Sequence, residues 1–358
     1  MKKLLILGIV VVMVSSAVTG CNSSQKTNDQ QTSIEQTTND KASGSENYVA
    51  TVGEYGITEG EFKYFLASTK LFMEQQAGVY DEESRKQFWE GKVEDVPAKE
   101  LAKQITLNSI KEFKVLLSKA KEAGTKLDDS EIEATNQQLE TFIQMLGDGE
   151  TGKQEFERMY GVSVDEVYKI NPDIALVQKF NHEKMHELEP TEEEARKFYE
   201  DNIEYYELVT VRHILFLTTD AETGEPLPQD KQDEAKKKAE DILARINAGE
   251  DMAELAKEYS EDPGSKDNGG EYTFGKGEMV EEFENWAFNA KVGDTGIVKT
   301  EYGYHVMKLE KILGYDDVKD LVREELRAKK FTELVEEWKS DPKYRLIENW
   351  DLIDKIEV

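Results

Sequence analysis

The amino-acid sequence predicts an α+β fold in which a compact unit of strands and helices is inserted into a mainly α-helical domain. Three observations support this. Apolar residues recur at helical steps along most of the chain before Val209. At Val209 the period changes to alternation, with Val209, Val211, His213, Leu215 and Leu217 on one side of a strand. After Gly314 helical spacing returns in a tail too short to bury a core alone, so it is expected to pack on the N-terminal helices. The expected divisions are residues 1–20 as a signal peptide, 21–47 as a tether and 48–204 as a helical domain. Residues 205–313 form the α+β unit, and 314–358 the returning helical segment.

The chain opens with Lys2 and Lys3, an unbroken apolar run from Leu4 to Val14, and small residues before Cys21, the pattern of a secretion signal. That run is shorter than the ~20 residues that span a bilayer. Val18-Thr19-Gly20-Cys21 resembles the bacterial lipobox, whose cysteine sulfur receives a diacylglyceryl group. Two acyl chains, at roughly 0.8 kcal/mol per buried methylene, make a lasting anchor. Cys21 is therefore the expected lipidation site, and the outer face of the cytoplasmic membrane of a Gram-positive-type bacterium is the expected location. Because Cys21 is the only cysteine, an intramolecular disulfide is excluded. From Asn22 to Asn47 only Ile34 and Ala42 are apolar, so this segment cannot bury a core and serves as a flexible tether. The net charge of −30 repels phosphate and argues against nucleic acid as a partner.

Order is expected from Tyr48. Val49, Thr51 and Val52 suggest a short strand, and Thr58-Glu59-Gly60-Glu61 has the spacing of a capping box ahead of a helix through Phe62, Phe65 and Leu71. Pro97 fits the first turn of the next helix, whose stripe is Leu101, Ile105, Ile110, Phe113, Leu117 and Ala120 before Gly124. Further helices are expected from Ser130 to Leu146, from the Ser163-Val164-Asp165-Glu166 box towards His186, and after Pro190 from the Thr191 to Glu194 box. Beyond the Val209 strand come helices at about Gln229 to Asn247 and Met252 to Tyr259, a Gly-rich loop, and a helix near Glu281 to Asn289. Strands near Ile297 and His305 close the unit. The last helix carries Val318, Leu321, Leu326, Phe331, Leu334, Val335 and Trp338, and ends at Asp341-Pro342.

Several spellings inside the α+β unit occur together. Val211-Arg212-His213-Ile214-Leu215 is followed by Tyr259-Ser260-Glu261-Asp262, Gly269-Gly270-Glu271 and Phe274-Gly275-Lys276-Gly277-Glu278-Met279. Phe283, Ala287-Phe288 and Gly303-Tyr304-His305 come next. In this order they resemble the parvulin peptidyl-prolyl isomerases, and the flanks, notably Val49 to Phe62, resemble the helical regions of PrsA-type foldases. The resemblance implies a parvulin-like domain, a small antiparallel sheet with surrounding helices, inserted in a chaperone-like helical domain. It places His213 and His305 on neighbouring strands with Asp262 above them as catalytic residues, and Phe274, Met279 and Phe283 around the substrate's proline ring. It implies no cofactor, metal or nucleotide. The implied partners are unfolded or newly exported proteins with Xaa-Pro bonds, the membrane through the diacylglyceryl anchor, and a second copy in a homodimer.

The chemistry needs no nucleophile. Rotation about an Xaa-Pro bond takes tens to hundreds of seconds unaided and passes through a twisted amide that has lost its resonance. That state is less dipolar than the planar one, so an apolar pocket favours it while polar groups orient the carbonyl or bond the freed nitrogen. Bland readings stand beside the functional ones. Buried paired histidines can serve only each other's hydrogen bonds, Met279 and Phe283 at helical spacing can be plain core, and Asp262 before Pro263-Gly264 can be a turn residue. Two departures from the family spelling matter. Gly269-Gly270-Glu271-Tyr272-Thr273-Phe274 is one residue shorter than the usual loop and lacks its leucine, which alters the pocket. Thr218 to Asp230 is acidic and lacks the basic cluster of phosphate-directed relatives, which argues against phosphoserine-proline substrates. Two alternatives remain: a holdase chaperone with an idle parvulin unit, and a zinc metalloprotease through His182, Glu183 and His186 in an H-E-x-x-H pattern, disfavoured by polar flanks and the nearby Pro190.

Overall fold

The computed structural model of the chain describes residues 48–358; the expected signal peptide, Cys21 and the tether lie outside the described residues. Strands β1 (Ala50–Val52) and β2 (Tyr55–Ile57) form a hairpin that leads into helix α1 (Glu59–Gln76). The Thr58 hydroxyl caps α1 by accepting the Glu61 N–H at 3.2 Å. Phe62, Phe65, Leu66 and Met73 are buried along one stripe, whereas Leu71, expected among them, is 54% exposed. At about 100° per residue Leu71 falls opposite Phe62, which explains the difference.

Helix α2 (Glu82–Glu90) and the two-residue strands β3 (Lys92–Val93) and β4 (Val96–Pro97) follow. Four longer helices come next: α3 (Ala98–Ala123), α4 (Asp129–Leu146), α5 (Glu150–Tyr160) and α6 (Val164–Glu187). Pro97 is the N-cap of α3 rather than part of its first turn, and Gly124 ends that helix in the left-handed region, φ 79°. Ser163 and Glu166 close a reciprocal capping box on α6.

The α+β segment begins with α7 (Glu192–Asp201), capped by Thr191 and Glu194, and α8 (Ile203–Tyr206). Strand β5 (Val209–Leu217), α9 (Gln229–Asn247), α10 (Met252–Tyr259) and β6 (Glu271–Phe274) follow. Then come α11 (Glu281–Asn289), β7 (Thr295–Lys299) and β8 (Gly303–Ile312). The chain ends in α12 (Tyr315–Ser340), β9 (Leu346–Glu348) and α13 (Trp350–Ile353).

These elements make two compact units. One comprises the described residues up to Leu188 together with Ala328–Val358, and the other is Glu189–Arg327. In the first unit β9 pairs with β1, Thr51 opposite Ile347, giving the sheet order β2-β1-β9. Its core joins Phe62, Ile110, Leu116 and Leu117 with Phe331, Val335 and Ile353 from the returning segment. One ion pair is sealed beside this core: Lys114 Nζ lies 2.6 Å from Glu61 Oε1, and both side chains are buried.

The second unit is wider than the expected 205–313 span at both ends. The reason is packing, since Ala195 and Tyr206 share one buried cluster with Tyr315, Val318 and Val322. Its antiparallel sheet has the order β6-β5-β8-β7. Helices α9 and α10 cover one face, where Ala239, Ile242 and Leu255 meet Ile214, Phe216 and Val306. On the other face α11 brings Phe283 and Ala287 against Val209, Val211, Met307 and Leu309. With both faces covered, residues of both parities along β5 are buried.

Candidate active site

The site lies on the α11 face of the sheet. Strands β5 and β8 are antiparallel with Leu215 opposite His305 and His213 opposite Met307, so His213 and His305 are diagonal neighbours on one face. Their Nδ1 atoms are 3.1 Å apart and their rings lie at 25° to each other. Both residues are buried.

Asp262 reaches this pair because its segment docks on the side of β5 that β6 leaves free beyond Arg212. The Glu261 N–H donates to the Leu215 carbonyl at 2.9 Å, and the Ser260 hydroxyl accepts the Leu215 N–H at 3.2 Å. The turn that follows needs glycine. Gly269 and Gly270 have φ of 76° and 80°, and a Cβ on Gly270 would stand 2.1 Å from the His213 carbonyl oxygen. This close approach lets the His213 N–H donate to the Gly270 carbonyl at 2.7 Å. Arg212 fixes the same turn, its Nη1 donating to the Gly269 carbonyl at 2.6 Å while its Nη2 pairs with Glu271.

The resulting contacts form a chain of hydrogen bonds. Asp262 Oδ2 lies 3.0 Å from His213 Nε2, and Oδ1 accepts the Gly264 N–H at 3.1 Å. Ser265 Oγ donates to Asp262 Oδ2 at 2.5 Å and lies 3.0 Å from His213 Nε2, and the Tyr272 hydroxyl donates to Asp262 Oδ2 at 3.1 Å. At the far end Thr300 Oγ1 lies 2.8 Å from His305 Nε2 and accepts the Tyr302 N–H at 3.2 Å.

Protonation follows from this geometry. The His213 hydrogen bond, then those from Ser265 and Gly264, hold the Asp262 carboxyl well below its ordinary range against the effect of burial. A carboxylate only accepts, so His213 Nε2 carries a proton. Burial, and then the His213 ring beside it, depress the His305 pKa to about 3, so His305 is neutral at physiological pH. Thr300 already accepts from a backbone N–H and is free to donate to His305 Nε2. The contacts thus run unbroken from Thr300 through His305 and His213 to Asp262.

Phe283 closes the site from below, its ring edge-on to both imidazoles with centroids at 5.3 Å. Phe274 differs from its expected position at the proline ring. It is only 1% exposed and packs behind Phe283, with centroids 5.7 Å apart, because Phe274 is opposite Val209 in the β5–β6 register and turns into the core. Met279 is half-buried and packs on the same apolar cluster. Ser265, Thr300 and Tyr272 were not singled out from the sequence. Tyr272 stands out only as part of the shortened loop, and single hydroxyl residues carry no signal of their own.

His182 and His186 sit on one face of α6 with ring centroids 5.6 Å apart, but Glu183 accepts a hydrogen bond from Thr125 at 3.1 Å. Among the described residues no three His, Cys, Asp or Glu side chains come together as metal ligands, so the protease alternative lacks a third ligand there.

Comparison with known proteins gives a domain family and relatives. Residues 197–312 match the model of the PPIC-type PPIASE domain. The Foldase protein PrsA of Caldanaerobacter subterraneus subsp. tengcongensis is 30% identical over 301 residues, covering 83% of this chain and 85% of that protein. Foldase protein PrsA 3 of Bacillus anthracis is 30% identical over 269 residues, covering 73% of this chain and 83% of the relative. A crystal structure of the peptidylprolyl isomerase PrsA from Bacillus cereus covers 73% of this chain and 95% of its own, at 25% identity and a TM-score of 0.27.

Proposed function

The chain belongs to the PrsA foldase family, and from that premise we propose where its reaction takes place and where in the cell it works. It is a parvulin-type peptidyl-prolyl cis-trans isomerase and foldase. Its reaction centre is the buried chain of Asp262, His213 and His305, and the observation that carries this reading is the continuous set of hydrogen bonds that links Thr300, His305, His213 and Asp262. Isolated histidines kept only for packing need no anion held next to them in a partly exposed turn; Asp262 retains 16% exposure of its side chain, enough to be reached by a peptide.

In this reading the substrate's proline ring rests on Met279, with Phe283 as the floor and Phe274 supporting Phe283 from behind. The apolar surround disfavours the planar, more dipolar amide, and the Asp262–His213 pair fixes a polar edge against which the twisted carbonyl or the freed nitrogen is held. The gain is differential binding of the twisted state, without any bond to protein. Clients are unfolded, newly exported proteins with Xaa-Pro bonds. The enzyme is held at the outer face of the cytoplasmic membrane by a diacylglyceryl group on Cys21, a reading that rests on the lipobox spelling and the apolar run before it. No described helix is long and apolar enough to cross a membrane.

The test is the rate of cis-to-trans conversion of a short unphosphorylated Xaa-Pro peptide by the soluble fragment starting at Ser45. Asp262→Ala and His305→Ala variants of retained fold are expected to lose at least about tenfold in kcat/KM. Full activity in both would move the reaction centre elsewhere. Suppression of client aggregation by a parent that does not accelerate isomerisation would make the unit a binding module.

A further inference from the structure

We propose that Tyr272, acting with the buried hydroxyl of Ser265, is a positioning residue of the isomerase that holds Asp262 in the orientation required for the reaction. The inference rests on the assignment of Asp262 and His213 to the reaction centre. It starts from the loop in which this chain departs from the parvulin spelling, one residue shorter and without the usual leucine.

Register explains how a tyrosine at this position reaches the site. Tyr272 is opposite Val211 and Phe274 opposite Val209 in the β5–β6 ladder, so Tyr272 is on the face that carries His213 two residues further along β5. Its ring lies on the His213 imidazole, with centroids 5.4 Å apart and planes at 34°. From there the phenol hydroxyl reaches Asp262 Oδ2 at 3.1 Å, the oxygen that also accepts from His213 Nε2 and Ser265 Oγ. An aliphatic side chain in that space would donate nothing. Three donors on one oxygen, with the Gly264 N–H on the other, leave the carboxylate no freedom to rotate away from His213.

Backbone packing points the same way. A Cβ on Gly264 would stand 2.4 Å from the Tyr272 hydroxyl oxygen, so the turn residue between Asp262 and Ser265 is small where the phenol lies across it. Ser265 is 1% exposed and has no other side-chain partner among the described contacts than Asp262, His213 and Tyr272. The phenol pKa is raised by burial and by the Asp262 charge, so Tyr272 stays a donor throughout the working pH range. The role is to fix the anion and, through it, the His213 Nε2–H tautomer. In that role the hydroxyl affects turnover and leaves peptide binding alone.

The experiment measures kcat and KM separately, as a function of pH, on the full-length chain in detergent micelles. Three variants are compared with the parent: Tyr272→Phe, which removes only the hydroxyl; Gly264→Ala, which displaces it without removing a donor; and Asp262→Ala. Loss of one hydrogen bond to a charged acceptor is expected to lower kcat about tenfold in Tyr272→Phe, with KM nearly unchanged and the acid limb of the profile moved to higher pH. Gly264→Ala is expected to show the same changes, and Tyr272→Phe to add nothing in the Asp262→Ala background. An unchanged kcat and pH profile in Tyr272→Phe, beside an inactive Asp262→Ala, overturns the positioning role while leaving the reaction centre in place. A raised KM at unchanged kcat overturns it in favour of a phenol that binds substrate. A fully active Asp262→Ala removes the premise and the proposal with it.

Discussion

The depressed pKa of His305 has a consequence for stability. Its imidazole is 5% exposed, lies against Phe283 and His213, and has its pKa lowered to about 3 by burial and then by His213. In the unfolded chain the same group has the ordinary value near ~6.5. As pH falls below about 6.5 the unfolded chain takes up a proton that the folded one refuses, so stability present at neutral pH is lost progressively down to about pH 3. Integrating the difference in bound protons gives about 2 kcal/mol between pH 7.5 and pH 5, and about 4 kcal/mol by pH 3. Asp262 does not interfere in the upper window, because its depressed carboxyl adds its own loss only as pH falls through the ordinary carboxylate range. The assay is hydrogen–deuterium exchange of the β5 and β8 amides at pH 7.5 and pH 5, corrected for intrinsic rates, in the parent and in His305→Gln. The parent should lose about 2 kcal/mol of opening free energy on acidification, and the variant, lower at both pH values, should lose little of it. Equal losses in the two proteins would refute the reasoning, since the titrating group would then not be His305.

Two further outcomes test the framework around the site. Gly270→Ala introduces a methyl 2.1 Å from the His213 carbonyl oxygen at φ 80°, so it should cost more than the about 1–2 kcal/mol of a left-handed non-glycine residue; a thermal midpoint equal to the parent's refutes this. In the first unit Lys114→Met leaves Glu61, whose pKa burial already raises, without its partner. Urea denaturation should show a loss of about 3–5 kcal/mol that Glu61→Gln in the same chain largely restores, and a single variant no worse than the double one would contradict it.

Much of the fold was legible because long periodic segments have a physical cause that local sequence records. The Thr58, Ser163 and Thr191 boxes each cap a helix, and the alternation from Val209 marks one of the two inner strands of its sheet. Helices α2 and α5 also escaped, and the strands that escaped are those with no period to record. Strands β3 and β4 have two residues each, and β9 has three, with its partner at the other end of the described chain. Only pairing with β1 makes Leu346–Glu348 a strand, and pairing over that separation leaves no trace in neighbouring residues. Strand β6 was hidden differently, because the two glycines before Glu271 mark a loop and the four residues after them are too few to alternate visibly.

The site divides along the same line. His213, Asp262 and His305 stand in short spellings whose order is specific, whereas the hydroxyls that complete the hydrogen-bond chain are set by register and turn geometry. Thr300 reaches His305 because the β7–β8 turn lets the Gly303 carbonyl accept the Thr300 N–H at 3.0 Å, which holds the two residues on one side of the ladder. Ser265 reaches Asp262 because the turn lets the Lys266 N–H donate to the Asp262 carbonyl at 3.0 Å and the Gly270 N–H to the Ser265 carbonyl at 2.7 Å. Each hydroxyl is therefore placed by backbone bonds that no side-chain spelling encodes. A shortened loop that looks like a defect in the family pattern thus becomes, once folded, the element that delivers a donor to the central carboxylate. The phenol of Tyr272 belongs to that altered loop, and only the strand register shows where its hydroxyl goes.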